Sequence, residues 1–95
     1  MKSTYHLIWD DWNVAHVARH GLTPEEVEEI AINDPVISET YAGRLRLIGK
    51  SAIGRVLTII VAPKEIGTYY VVTARPASRP ERRFYDEQKG GEQAA

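Results

Sequence analysis

The chain of 95 residues is long enough for one domain with a modest core and too short for two. Its 43% hydrophobic and 26% charged residues are ordinary for a soluble globular protein, and the lack of cysteine excludes disulfides and thiolate metal sites. Because no apolar run reaches the length of a membrane span and the N-terminus lacks the apolar centre of a signal peptide, we expect a cytoplasmic protein with no membrane partner.

The small net charge of −1 conceals a division along the chain. Residues 1–40 carry two cationic and eight acidic side chains, a net charge of −6, whereas residues 41–95 carry ten and five, a net charge of +5. The local field rather than the total charge attracts phosphate, so the basic half is where a site for a polyanion is expected.

The N-terminal region begins with an apolar segment and a first helix. Residues 5–9 are apolar enough for a short edge strand or an extended arm packed on the core. Asp10 or Asp11 can cap a helix that runs to about His20. The helical spacing of this segment predicts that Trp12 faces the core.

A second helix has every feature of a helix start. Thr23 is a suitable N-cap, Pro24 occupies the first helical position, and Glu26 completes a capping box. The Asn-Asp-Pro sequence at 33–35 ends the helix.

From residue 35 onward the hydrophobic period changes from helical to alternating. The turns between the segments are short enough for hairpins but not for crossovers, which predicts an antiparallel meander of four strands. The apolar run at 56–61 predicts a central strand that is covered on both faces. The predicted strands are 36–41, 45–50, 55–62 and 68–74.

A third helix is predicted from about residue 79, because Ser78 and Glu81 have the spacing of a capping box and Pro80 is tolerated in the first turn. We expect residues 1–89 to form a single domain and residues 90–95 to be a disordered polar tail. The fold class is therefore α+β, with two N-terminal helices, the meander sheet and a C-terminal helix.

Four arginines lie within nine residues where the last strand passes into the last helix. One interpretation is a phosphate-binding surface, since the guanidinium group pairs bidentately with phosphate oxygens. The other is a solvated basic helix face, paired with acidic residues of the same helix. The four are Arg75 at the strand end and Arg79, Arg82 and Arg83 on the helix.

Cleavage of RNA requires a base for the 2′-OH proton, an acid for the leaving 5′ oxygen, and cations around the phosphate. Arg55, at the start of the third strand, is a further cation for this site. Tyr85 is a candidate proton donor or an amphipathic cover for the helix end. His20 is a candidate general base or a partner of the helix dipole.

The sequence predicts neither a metal nor a cofactor. His16 and His20 have the H-x-x-x-H spacing, but no glutamate stands beside His16 as it would in a hydrolytic zinc helix. Phosphate-binding loops, dinucleotide-binding glycine motifs and nucleophile elbows are not found.

Three blocks of the sequence resemble the BrnT-type toxins of bacterial toxin–antitoxin pairs, which are small ribonucleases with a RelE-like fold. The blocks are I-W-D at 8–10, R-H-G at 19–21 and T-A-R-P-A-S-R-P-E-R-R-F-Y at 73–85. The third is the specific one, because it is similar to the S-A-R-x-A-x-x-x-E-R-R-x-Y ending of the family.

The resemblance implies an endoribonuclease that cleaves RNA without a metal by 2′-OH attack. It implies mRNA as substrate, with or without the ribosome, and neutralisation by a ribbon-helix-helix antitoxin that brings the complex to operator DNA. Carried onto matching positions, it implicates Arg55, Arg75, Glu81, Arg82, Arg83 and Tyr85. Glu81 has two interpretations within this scheme, as a capping residue or as the group that orients an arginine.

A second hypothesis is a catalytically inactive module that binds RNA or a protein through the same basic surface. The chain has Trp12 and Asn13 where a lysine is usual in the family, and its R-H-G replaces the more usual K-H-G. These departures concern activity rather than fold.

Overall fold

The computed structural model describes residues 6–93, and within them the chain forms three α-helices, five strands and one 3-10 turn. The α+β class is confirmed, and no helix in the described range is long and apolar enough to cross a membrane. The elements in chain order are β1 (His6–Ile8), α1 (Asp11–Ala18), α2 (Pro24–Ile32), β2 (Val36–Glu39), the 3-10 turn (Tyr41–Gly43), β3 (Leu45–Lys50), β4 (Val56–Glu65), β5 (Thr68–Pro76) and α3 (Arg79–Gln93).

The strands form one sheet in the order β1-β5-β4-β3-β2. β2 to β5 make the predicted antiparallel meander. The prediction of a purely antiparallel, four-stranded sheet is wrong, because β1 pairs in parallel with the free edge of β5 and places Leu7 opposite Tyr69. Parallel pairing needs a long connection, which α1, α2 and the other strands supply here. The partner of so short a segment cannot be inferred from its neighbours in sequence. Residue 5, the first of the predicted segment, lies outside the described residues.

Several strand boundaries differ from the prediction, and β4 and β5 extend further than expected, to Glu65 and Pro76. The strand expected at 36–41 ends at Glu39, because Ala42 adopts a positive φ of 57° in the turn that follows. The turn expected at 63–67 shortens to two residues, and Pro63 lies within β4, where the register shifts between Pro63 and Glu65. Proline is tolerated in a strand at such an irregularity.

One face of the sheet, here called the first face, is covered by α1 and α2. Alternate side chains of a strand point to opposite faces, and this face receives Leu57, Ile59 and Val61 of β4. α2 lies so close to β3 that a Cβ on Gly49 would approach Ile30 Cγ2 to 2.9 Å. The buried apolar residues of this core are Leu7, Val17, Leu22, Val27, Ile30, Ala31, Leu47, Leu57, Ile59, Val61, Val71 and Ala74.

The inward side of α1 differs from the prediction. Trp12 is 59% exposed, and the buried residues are Asn13 and Val17. Asn13 completes a capping box with Asp10, and its side-chain amide also donates to the carbonyl oxygens of Ile8 (2.9 Å) and Val71 (3.0 Å). These bonds turn Asn13 toward the sheet, and Trp12 then lies on the solvent side.

The opposite face of the sheet, here called the second face, is covered by α3. Thr58 of β4 and Arg46 of β3 lie on this face, since both contact side chains of α3. The central strand is buried on both faces as predicted, since Leu57 to Val61 are all buried. α3 continues to Gln93, so the predicted tail at 90–95 begins within this helix, and residues 94 and 95 lie outside the described range.

Candidate functional site

A single buried carboxylate, that of Glu81, joins β4, β5 and α3. Thr58 Oγ1 and the Ser78 backbone N–H each donate to Glu81 Oε1 at 2.9 Å. Arg75 forms a bidentate ion pair with the same carboxylate. Its Nη1 donates to Oε1 at 2.7 Å and its Nη2 donates to Oε2 at 2.8 Å. The strand end and the helix start are therefore connected through one side chain.

The surroundings of Glu81 favour its ionised form. The Arg75 guanidinium is the main cause, and with the Ser78 N–H and the Thr58 hydroxyl it lowers the pKa of Glu81 to about 2, against the opposing effect of burial. Glu81 in turn raises the pKa of Arg75. Both interpretations of Glu81 thus apply in the structure, since it caps α3 and orients Arg75.

Arg46 extends this polar network toward the edge of the sheet. Its Nη1 lies 4.0 Å from Glu81 Oε2, and its Nε donates to Ser38 Oγ at 3.3 Å. The Arg46 guanidinium also lies 5.4 Å from the centre of the Phe84 ring, within the range of a cation–π contact. Arg46 was not predicted as a site residue, although strict alternation along β3 already separates its side chain from those of Leu45 and Leu47.

The three arginines of α3 come together as predicted. Arg79, Arg82 and Arg83 are exposed and line an open cleft of about 430 Å³. Asp86 and Glu87 share this cleft, so a phosphate group would meet both signs of charge. Arg75 differs from the other three, because both of its bonds to Glu81 are directed inward.

Tyr85 lies in a different cleft, between α3 and the end of α2. Lys50 lines this cleft as well, and the Lys89 ammonium is 6.0 Å from the Tyr85 ring centre. Lys89 Nζ donates to the backbone oxygen and to Oδ2 of Asp34, each at 2.8 Å. The structure therefore brings Tyr85 close to two lysines, but not into the cleft of the three arginines.

The side chains of Arg55 and His20 contact α2 and α1 rather than α3. The backbone at Arg55 lies beside the start of α3, because the Ala77 N–H donates to Val56 O at 2.9 Å. Arg55 alternates with Val56 and so shares the first face with Leu57, where its Nη1 is 3.5 Å from Glu26 Oε2 of α2. The His20 and His16 rings are arranged edge to face, with 5.8 Å between their centres. His16 in turn stacks on Trp12, with 4.9 Å between the ring centres. Within residues 6–93, no three His, Cys, Asp or Glu side chains are grouped so that they could hold a metal ion.

An apolar cavity of about 140 Å³ lies on the first face of the sheet. Its lining carries no charged side chain, which makes it unsuitable for phosphate. It is lined by Leu7, Ala31, Ile37, Leu45, Leu47, Val61 and Tyr69.

The mixed sheet, the two helices on its first face and α3 on its second define a small α+β domain, and this fold is shared with a BrnT-type toxin. In particular, the chain is similar to the crystal structure of the ribonuclease toxin BrnT from Brucella abortus. The TM-score is 0.64 at 26% sequence identity, and the match covers 80% of this chain and 100% of that chain. It confirms the resemblance seen in the sequence. No protein-family model matches the chain, and neither does any curated protein.

Proposed function

We propose that this protein is a toxin-type endoribonuclease that binds the RNA backbone along α3. The observation that carries the proposal is the fold-level match, over the whole of the other chain, to a ribonuclease toxin. The exposed arginines of α3 support the choice of this helix as the RNA surface.

The exposed guanidiniums of Arg79, Arg82 and Arg83 are the phosphate-binding groups in this proposal. They occupy successive turns of one helix face, so a backbone of single-stranded RNA can follow them. Arg75 has a positioning role, because its pairing with Glu81 holds the start of α3 against β4 and β5.

The chemistry proposed is attack of the 2′ oxygen on the adjacent phosphorus. The 2′-OH releases its proton to solvent water as the new P–O2′ bond forms and the P–O5′ bond breaks, giving a 2′,3′-cyclic phosphate and, after protonation of the leaving oxygen, a 5′-OH end. Tyr85, beside Lys50 and Lys89, is the candidate donor of a proton to the leaving oxygen. The arginines of the adjoining cleft, which Asp86 also lines, balance the charge that develops on the phosphate. No metal takes part in this scheme.

A toxin of this kind requires a partner that neutralises it. We propose that a ribbon-helix-helix antitoxin is this partner and that the chain meets operator DNA through that complex. Cleavage of mRNA, free or on the ribosome, follows when the antitoxin is lost.

The test is a cleavage assay on end-labelled single-stranded RNA in EDTA. The wild type is compared with the double variant Arg82→Ala/Arg83→Ala and with Arg19→Ala, which removes an exposed arginine from the C-terminal end of α1. We expect cyclic phosphate ends from the wild type and from Arg19→Ala, and a loss of at least about 100-fold in rate from the double variant.

The salt dependence of RNA binding supplies a second readout. The slope of the logarithm of the binding constant against the logarithm of the salt concentration reflects the number of phosphate contacts, and the double variant should have about two fewer. Folded wild type that binds RNA but leaves it intact, with and without ribosomes, would overturn the cleavage proposal. The interaction-module hypothesis would then account for the same basic surface.

A further inference from the structure

The outward side of α2 forms an apolar surface with an acidic rim, here called the α2 surface. Ile32, in the last turn of the helix, is 77% exposed although its neighbours Ile30 and Ala31 are buried. The residues that line the surface are Trp9, Pro24, Glu25, Glu28, Glu29 and Ile32.

Two contacts fix the shape of the α2 surface. The Trp9 indole Nε1 donates to Glu28 Oε2 at 2.9 Å, which lays the half-buried ring against α2. The Ala52 N–H donates to Glu29 Oε1 at 3.4 Å, which brings the turn between β3 and β4 beside the helix. Ile53, the next residue of that turn, is 75% exposed.

The charge of the α2 surface is uncompensated. α2 carries four glutamates and no cation, and of these Glu26 is paired with Arg55. Among the described residues, no Lys or Arg forms an ion pair with Glu25, Glu28 or Glu29. A polyanion is therefore repelled from this surface, whereas a cationic chain is attracted.

We propose that the α2 surface binds a positively charged, amphipathic segment of a partner protein. An apolar side chain of that segment packs against Trp9 and Ile32, and its Lys or Arg side chains pair with Glu25, Glu28 and Glu29. Exposed isoleucines surrounded by charge of one sign are typical of the apolar centre and polar rim of a protein interface. The proposal does not depend on RNA cleavage, because the arginines of α3 lie on the second face of the sheet and α2 lies on the first.

The experiment uses a synthetic amphipathic helix of about 14 residues made of Leu and Lys, and the same pattern with Glu in place of Lys. Binding is followed by Trp9 fluorescence in a Trp12→Phe background, so that the signal comes from the α2 surface. The Leu–Lys peptide should bind and shift the emission of Trp9, and the Leu–Glu peptide should do neither.

The triple variant Glu25→Gln/Glu28→Gln/Glu29→Gln should weaken binding by about tenfold. Each exposed charge pair contributes a small part of the binding free energy, and the three losses together give this change in affinity. Its control, Glu39→Gln/Glu65→Gln/Glu87→Gln, makes the same change in net charge at exposed sites on β2, β4 and α3.

Ile32→Ser tests the apolar part separately and should weaken binding several-fold without affecting the fold, since this side chain is exposed. The proposal is overturned if the two triple variants bind alike, if Ile32→Ser binds as the wild type does, or if the peptide binds without changing Trp9 emission.

Discussion

The two faces of the sheet are held to their helices by different kinds of interaction. On the first face, α1 and α2 bury a continuous set of aliphatic side chains, and Asn13 is the polar member that ties α1 to the strands. On the second face, Ile48 and Ile60 are buried, and α3 is joined to the sheet through Glu81 as well. The Glu81 carboxylate accepts bonds from a strand hydroxyl, a cap N–H and an arginine.

This difference determines what each face responds to. Burial of apolar surface does not change as carboxylates titrate, so the first face should be insensitive to mild acid. The second face depends on an ionised carboxylate, so protonation should loosen α3. The arginines of the proposed RNA surface thus lie on α3, the helix whose start is held to the sheet by the ion pair of Glu81 and Arg75.

Ile59→Ala should have the largest effect, because Ile59 is fully buried on the first face. Removing its methyl and methylene groups leaves a cavity, and the free energy of unfolding should fall by about 4 kcal/mol in urea denaturation. Ile53→Ala is the control, since Ile53 is exposed, and it should change stability by less than about 0.5 kcal/mol. A loss below about 1 kcal/mol for Ile59→Ala would contradict the apolar character of the first face.

Asn13→Ala should lower the free energy of unfolding by about 3 kcal/mol. The variant loses half of the α1 capping box and leaves the carbonyl oxygens of Ile8 and Val71 without their donor. Thermal and urea unfolding measure the effect, and Val14→Ala, at an exposed position of the same helix, is the matched control. Equal stability of the two variants would show that Asn13 does not tie α1 to the sheet.

Glu81→Gln should cost about 2 kcal/mol at pH 7, because the amide no longer pairs with the charge of Arg75. The pKa of Glu81 is about 2 in the folded protein against an ordinary value of 4.5, so its stabilising effect is fully present above pH 4.5. It declines as pH falls from 4.5 toward 2. The difference in stability between wild type and Glu81→Gln should therefore be largest near neutral pH and shrink in acid.

Glu87→Gln, on the exposed side of α3, is the matched control for this experiment, because it makes the same change of side chain on the same helix without touching the pair of Glu81 and Arg75. Urea denaturation at a series of pH values gives both curves. A difference between wild type and Glu81→Gln that stays constant from pH 7 to pH 3 would mean that the charge of Glu81 does not hold α3.

Trp12→Ala should have the smallest effect, within about 0.5 kcal/mol, because the side chain is exposed and stacks on His16 at the protein surface. The sequence pattern, which placed Trp12 in the core, predicts a loss of several kcal/mol. Urea denaturation therefore distinguishes the two placements directly.

Much of the fold follows from local chemistry. The capping box of Thr23 and Glu26 begins α2 at Pro24 as predicted, and the cap formed by Ser78 and Glu81 begins α3 at Arg79. Alternation correctly located the strands of the meander. These features depend on residues within a few positions of one another, which is why the sequence alone was sufficient.

The candidate site could be predicted only in part. Arg79, Arg82 and Arg83 share a helix face, and helical spacing alone implies that they lie together. Arg55 and His20 were expected near them. The backbone at Arg55 does lie beside the start of α3, but its side chain pairs with Glu26 of α2 on the first face, and His20 contacts His16 of α1, because the sequence does not state which helix covers which face of the sheet.

By itself, the sequence determined where most helices and strands begin and that four arginines flank one strand-to-helix junction. Only the tertiary structure decided that β1 pairs in parallel with β5, that Asn13 rather than Trp12 is buried, and that Arg75 turns inward to Glu81 while the other three arginines stay exposed. The physical reason is separation along the chain. The partners of Asn13 and Glu81 include residues 58 and 23 positions away, and a bond of that kind forms only after the sheet has brought the strands together.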